Sequence, residues 1–159
     1  MKYLISACLV GENVRYDGKN CLADKLKQLL QQRLAISICP EVAGGLSIPR
    51  AAAEIVGGEG KDVLLGQAKV IDCTGLDVSA EFIAGAHQTL QLAQRFRVTY
   101  VVLKANSPSC GSGRIYAGTF DGTQRDGDGV TAALLKLHHF QVMSEEQFFQ
   151  QLNQLELRP

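Results

Sequence analysis

The 159-residue chain is long enough for one domain that buries its own core without disulfide or metal staples. Its 46% hydrophobic content is that of a globular protein, and no window approaches the apolar length of a transmembrane helix, which excludes a membrane-spanning role. Lys+Arg and Asp+Glu both number 16, so the zero formal charge excludes a broad nucleic-acid footprint that works by displacing counterions.

In chain order, Lys2–Ala7 predicts a strand with no charged leader before it, and the expected localisation is cytoplasmic. A loop carrying Arg15-Tyr16-Asp17-Gly18 leads to a helix from about Ala23 to Arg33, with Leu26, Leu29 and Leu30 on one side. Leu34–Ile38 predicts a second strand, followed by a Gly- and Pro-containing stretch through Pro49. Residues 52–72 predict a hairpin: Glu54-Ile55-Val56, a Gly57–Gly60 turn, Val63-Leu64, then Ala68–Asp72.

Asp77 or Ser79 is placed to cap the longest helix, Val78–Arg97, whose Phe82, Ile83, Ala86, Leu90 and Ala93 recur at three- and four-residue steps. Thr99–Leu103 is a short β-branched run of the buried parallel type. After Ser107-Pro-Ser-Cys110 come a short apolar strand at Ile115-Tyr116-Ala117 and a Gly-rich loop, Asp121–Gly129. A helix Val130–His138, a strand at Gln141-Val142 and a terminal helix opened by the capping-box sequence Ser144-Glu-Glu-Gln147 complete the chain. This alternation predicts one α/β domain over residues 1–159, a three-layer sandwich with a mainly parallel, Rossmann-like sheet.

Five cysteines (8, 21, 39, 73 and 110) in a chain expected to be cytoplasmic point to buried, catalytic or metal-binding thiols rather than disulfides. Any one cysteine is simplest read as a small core residue. Cys8, Cys39 and Cys110 differ as a group. Each ends a predicted strand and is flanked by Gly, Pro or Ser, so all three arrive at the sheet edge where open α/β folds bind ligands. Cys21 opens the first helix and Cys73 ends a strand before a Thr-Gly turn; both are assigned to packing, with Cys73 the better outsider.

No Cys-x-x-Cys pair occurs, which argues against a zinc ribbon or a ferredoxin-type site and leaves a site assembled in three dimensions. Three thiolates on a four-iron cluster would leave one iron without a protein ligand. Glu41, two residues past Cys39, is either a general base beside a metal or a solvated loop carboxylate. Ser107 and Ser109 either orient a reactant or satisfy turn amides. Gly44-Gly45 and Gly111/Gly113 read as turn glycines, since no nucleotide fingerprint is complete. His87, His138 and His139 lack metal-like or triad-like neighbours and read as surface or structural residues.

Ser6-Ala-Cys-Leu-Val-Gly, Arg15-Tyr-Asp-Gly, Cys39-Pro-Glu-Val-Ala-Gly-Gly-Leu, Pro49-Arg with Ala53-Glu-Ile, Asn106-Ser-Pro-Ser-Cys-Gly and Gly129-Val-Thr-Ala together resemble the DUF523 family, over roughly residues 3 to 143. Its characterised members are thiouracil desulfurases (desulfidases). The resemblance implies a [4Fe-4S] cluster held by Cys8, Cys39 and Cys110, with one iron not ligated by protein. It implies non-redox conversion of 2-thiouracil, or a related thiolated base or nucleoside, to uracil and hydrosulfide. Glu41 would be the acid/base, Ser107 in preference to Ser109 the second catalytic group, and Asp17 and Asn106 substrate-binding residues.

Many relatives carry a cysteine where this chain has Val14, and some carry an additional C-terminal domain. The expected partner is a small thiolated pyrimidine; the residues leave a polynucleotide substrate and the oligomeric state open. The competing class is a metal-binding or redox-sensing protein that uses the same thiols without catalysis.

Overall fold

The computed structural model describes residues 2–19 and 23–156, so Cys21 lies outside the described residues. The elements are β1 (Tyr3–Ser6), a 3-10 turn (Ala7–Val10), α1 (Asp24–Gln31), β2 (Ala35–Ile38), α2 (Pro40–Ala43), β3 (Ala53–Val56), α3 (Gly60–Leu64), β4 (Lys69–Asp72), α4 (Ser79–Arg95) and β5 (Tyr100–Leu103). They continue with β6 (Arg114–Tyr116), β7 (Gln124–Asp126), α5 (Val130–Leu137), β8 (Gln141–Ser144) and α6 (Glu145–Glu156).

Four parallel strands form the sheet in the order β2-β1-β5-β8, with Leu4 between Ile36 and Val101 and Ile5 between Ser37 and Val102. Successive side chains of a strand leave on opposite faces, and the core divides accordingly. Leu4, Val101 and Leu103 pack with Phe82, Ala86 and Leu90 of α4 and Leu134 and Leu135 of α5. Ile5 and Val102 pack with Leu26 of α1 and Phe148 of α6 on the other face. The result is the expected three-layer α/β sandwich. Among the described residues no helix is long and apolar enough to cross a membrane.

Three crossovers return to the sheet by one device. After α1, α4 and α5, residues Arg33, Arg97 and His139 take left-handed φ values of 60°, 49° and 67°. The amides that follow, of Leu34, Val98 and Phe140, reach back to the carbonyls of Leu29, Ala93 and Leu135. These are Schellman closures built without glycine, which is why no glycine signal announced them. The terminal helix is opened as expected: Ser144 N–H donates to Gln147 Oε1 at 2.9 Å and Gln147 N–H to Ser144 Oγ at 3.2 Å.

Departures from the sequence reading cluster in the connections. Val63-Leu64 is not a strand but the end of α3, because Glu59 and Asp62 form a reciprocal capping box that starts a helix inside the β3–β4 hairpin. The Gly-rich segment after Asp121 contains β7, which pairs antiparallel with β6 and carries Gln-Arg-Asp, too polar for an alternation signal. The N-cap of α4 is Val78. Asp77 Oδ1 accepts the Ser79 amide at 2.9 Å, while Ser79 Oγ accepts the Val70 amide and ties the helix to β4.

Candidate active site

The chain winds one way from β1 to β2 and the other way to β5, so the sheet order reverses between β1 and β5. Loops beyond the carboxyl ends of the two strands diverge there and leave a crevice. A cavity of about 690 Å³ occupies this place, lined by residues that include Cys8, Cys39 and Cys110.

The delivery of each thiol differs from a simple strand end. Cys8 sits inside the 3-10 turn after β1 and is 7% exposed. Cys39 is the N-cap of α2, half-buried, with its Sγ 3.7 Å from the Val14 carbonyl oxygen. Cys110 is 5% exposed, in the loop after β5. The position of α2 is set by close helix packing: a Cβ on Gly44 would overlap the Glu81 carbonyl of α4, and one on Gly85 would overlap the Pro40 carbonyl. Gly44 is therefore a close-approach glycine rather than the turn glycine expected, whereas Gly45, with φ 105° and open space around it, serves the turn.

Electrostatically the crevice disfavours bare thiolates. Burial pushes the Cys110 thiol far up, against a hydrogen bond from the Ser6 side chain, and Cys39, Glu41 and Cys8 add negative charge in the same direction. Cys39 is raised chiefly by burial, opposed by hydrogen bonds from the Val42 and Glu41 backbone. Among the described residues no three His, Cys, Asp or Glu side chains stand close enough to hold a single ion. Cys110 feels the charge of both Cys39 and Cys8, and the three soft thiol donors on one cavity fit the ligand set of an iron–sulfur cluster. Bound iron would supply the positive charge that buried thiolates lack.

Glu41, in the first turn of α2, is paired rather than solvated. Arg50 donates from Nε to Oε2 at 2.8 Å, and one of its terminal nitrogens stands 2.6 Å from the same oxygen in an ion pair, leaving Oε1 outside the pair. The Arg50 side chain is 8% exposed; the same terminal nitrogen donates to the Val14 carbonyl and the remaining one to the Ser47 carbonyl, at 3.1 Å each. The guanidinium thus ties the Arg15–Gly18 loop's approach, α2 and the segment after it around the carboxylate.

The two serines separate by environment. Ser107 lines the cavity, and its Oγ accepts the amides of Ser109 and Cys110 at 3.1 Å each, leaving its own proton to donate. Ser109 is 1% exposed and exchanges a 2.7 Å hydrogen bond with the Thr131 hydroxyl, away from the cavity lining. Asn106 lines the cavity with a left-handed φ of 68°. Asp17 does not line it: it is exposed, accepts the Lys19 amide at 2.9 Å and stands 4.0 Å from Arg15.

Three lining residues had escaped the sequence reading as functional groups. Ser6 is buried; its Oγ accepts the Lys104 amide at 3.0 Å and its hydroxyl serves Cys110, a role its place two residues before Cys8 could have suggested. Arg50 was present only as part of the Pro49-Arg motif. Glu54 is a 9% exposed carboxylate inside the apolar strand β3, a pattern that signals a committed partner. Cys73, assigned to packing from the sequence, is instead exposed and lines the cavity, because it lies just past the end of β4; all three histidines are exposed.

Comparison with known proteins places the whole chain. YbbK of Bacillus subtilis (strain 168), an uncharacterized protein, is 47% identical over 144 residues, 91% of this chain and 95% of YbbK. The solved structure of the [4Fe-4S]-dependent thiouracil desulfidase TudS superposes with a TM-score of 0.83 at 43% identity, covering 99% of both chains. Residues 3–147 match the 2-thiouracil desulfurase family. With that match spanning nearly the whole chain, the protein belongs to the 2-thiouracil desulfurase family.

Proposed function

We propose that this protein is an iron–sulfur-dependent desulfurase that hydrolyses the C–S bond of 2-thiouracil, or a closely related thiolated pyrimidine, to uracil and hydrosulfide without net redox. The observation that carries the reading is the convergence of Cys8, Cys39 and Cys110 with the Arg50-held Glu41 on one cavity at the switch point of the sheet. Cys8, Cys39 and Cys110 would hold a [4Fe-4S] cluster, whose remaining iron, without a protein thiolate, would offer a soft Lewis acid to the thiocarbonyl sulfur.

The chain's own groups perform the rest. Glu41 has one oxygen engaged by Arg50 and the other outside that pair, so it is held for proton transfer from water without swinging away. The water oxygen bonds to the ring carbon, the C–S bond breaks with its electron pair going to sulfur, and the proton held by Glu41 passes to the departing hydrosulfide or to solvent. Water and thiouracil give uracil and hydrogen sulfide; no electron is gained or lost. Ser107 presents a hydroxyl proton to the reacting ring, and Asn106 presents a side-chain amide from the same loop.

Iron and acid-labile sulfide analysis after anaerobic preparation, with measured release of uracil and sulfide from 2-thiouracil, tests the reading. Cys110→Ala should lose cluster iron and activity together. Glu41→Ala should keep cluster iron and lose turnover; normal turnover in that variant would remove Glu41 from its role.

A further inference from the structure

The β6–β7 hairpin contributes nothing to the main sheet, yet Tyr116, Phe120 and Gly122 from it line the cavity. Its connecting loop is fastened to β3 in an unusual way. Oε1 of Glu54, a 9% exposed carboxylate, accepts the Gly118 amide at 2.9 Å and the Phe120 amide at 3.4 Å. Gly118 has φ 88° and lies so close to β3 that a Cβ would stand 2.5 Å from the Ile55 carbonyl oxygen. Beyond it, Phe120 takes φ 56°, a left-handed conformation that bulky side chains rarely adopt, and the residue is 42% exposed.

A lone exposed phenylalanine needs no explanation. One kept exposed by a strained backbone, with a buried carboxylate committed to that backbone, does. The turn's inner geometry is satisfied separately, by Asp121 accepting the Thr119 hydroxyl at 2.6 Å and the Thr123 amide at 3.0 Å, so Glu54 is not required to close the loop on itself. What Glu54 adds is the placement of Phe120 at the cavity.

We propose that Phe120 is the specificity-determining aromatic wall of this cavity, packing its ring face against a flat heterocyclic substrate, and that Glu54 is the residue that positions it. The assignment rests on the reading that the cavity takes a thiolated pyrimidine. Phe120 contributes binding that is the same in ground and transition states, so its loss appears in KM and Kd rather than in kcat. Truncating an aromatic that stacks on a base costs roughly 5- to 150-fold in affinity. Glu54 acts at one remove: glutamine retains an oxygen acceptor for both amides, and alanine does not.

The test uses the cluster-loaded protein, with iron content measured for every variant. Calorimetry gives Kd for 2-thiouracil, and steady-state assays give kcat and KM. Phe120→Ala should raise Kd and KM at least about fivefold with kcat within twofold. Phe120→Tyr should bind like the wild type. Glu54→Ala should reproduce the Phe120→Ala defect, and Glu54→Gln should rescue it. A Phe120→Ala protein with unchanged Kd, or one that loses kcat with KM intact, overturns the assignment. Phe120-dependent binding of 2-thiouracil without sulfide release overturns the desulfurase reading and leaves Phe120 in place. A wild-type protein that does not bind 2-thiouracil overturns both.

Discussion

Removing the Arg50 guanidinium perturbs the site at its most committed point. Arg50→Ala deletes the ion pair and hydrogen bond to Oε2 of Glu41 and one hydrogen bond each to the Val14 and Ser47 carbonyls. Both members of the ion pair are largely withdrawn from solvent, with side chains 8% and 15% exposed, so solvent cannot simply replace the lost counter-charge. Breaking a buried pair by removing one partner costs about 3–5 kcal/mol. The residual exposure of Glu41, and the exposed Ser47 side of the contact, bring the expected loss to about 3 kcal/mol. For a chain of this size that loss lowers Tm by roughly 6–12 °C.

Activity should fall further than stability suggests, because Arg50 fixes the carboxylate and the Val14 carbonyl that Cys39 also faces. A misplaced base costs on the order of 100-fold in turnover. Arg50→Lys should recover little, since a single ammonium cannot span Oε2 of Glu41 and two carbonyls at once. Thermal unfolding by circular dichroism, paired with 2-thiouracil turnover per mole of cluster iron, reads both effects. An Arg50→Ala protein that melts within 2 °C of wild type and turns over at the same rate would show that the ion pair neither supports the fold nor positions Glu41.

Other consequences follow from single contacts. Ser107→Ala should slow turnover while costing about 1 kcal/mol of stability, because the amides of Ser109 and Cys110 lose their acceptor. Ser109→Ala should instead destabilise by about 1–3 kcal/mol, by orphaning the Thr131 hydroxyl, and leave turnover intact; adding Thr131→Val should restore much of the loss, as a double-mutant cycle in urea will show. Gly85→Ala should destabilise by about 1–3 kcal/mol and reduce cluster loading, measured as iron per chain, since the new Cβ pushes against Pro40 between Cys39 and Glu41.

Asp121 supplies a pH signature. Hydrogen bonds from the Thr119 and Thr123 side chains and the Thr123 backbone lower its carboxyl to about 2 from 3.8. A depressed folded-state value means that its support of the hairpin loop is in place above pH 3.8 and is lost as pH falls toward 2. A carboxyl NMR titration should find a midpoint near 2. Thr119→Val with Thr123→Val should move it back toward 3.8, and an unmoved midpoint would remove the hydroxyls as its cause.

The layered α/β fold was legible in the chain because its signals are local. The Phe82–Ala93 stripe, the β-branched run at 100–103 and the Ser144/Gln147 box each report a backbone state through neighbours a few residues away. The three strand-end cysteines were legible for a related reason. A parallel sheet with right-handed crossovers sends every strand end to one side, so sequence position alone predicts which loops meet. The all-polar β7 and the helix α3 were not legible, since neither carries an apolar period long enough to outweigh its glycines.

The partner of each polar group was set by tertiary packing. Ser107 and Ser109 stand two residues apart in the same loop, and sequence could not rank them beyond a preference. Packing sends one hydroxyl to the cavity and the other to Thr131. Asp17 belongs to a motif shared with Arg15 and Tyr16, yet it turns to its own loop. Glu41 and Arg50 are nine residues apart, and Glu54 meets amides more than sixty residues away. A buried charge must find a partner, but which partner is a matter of where the chain has already been brought by its core.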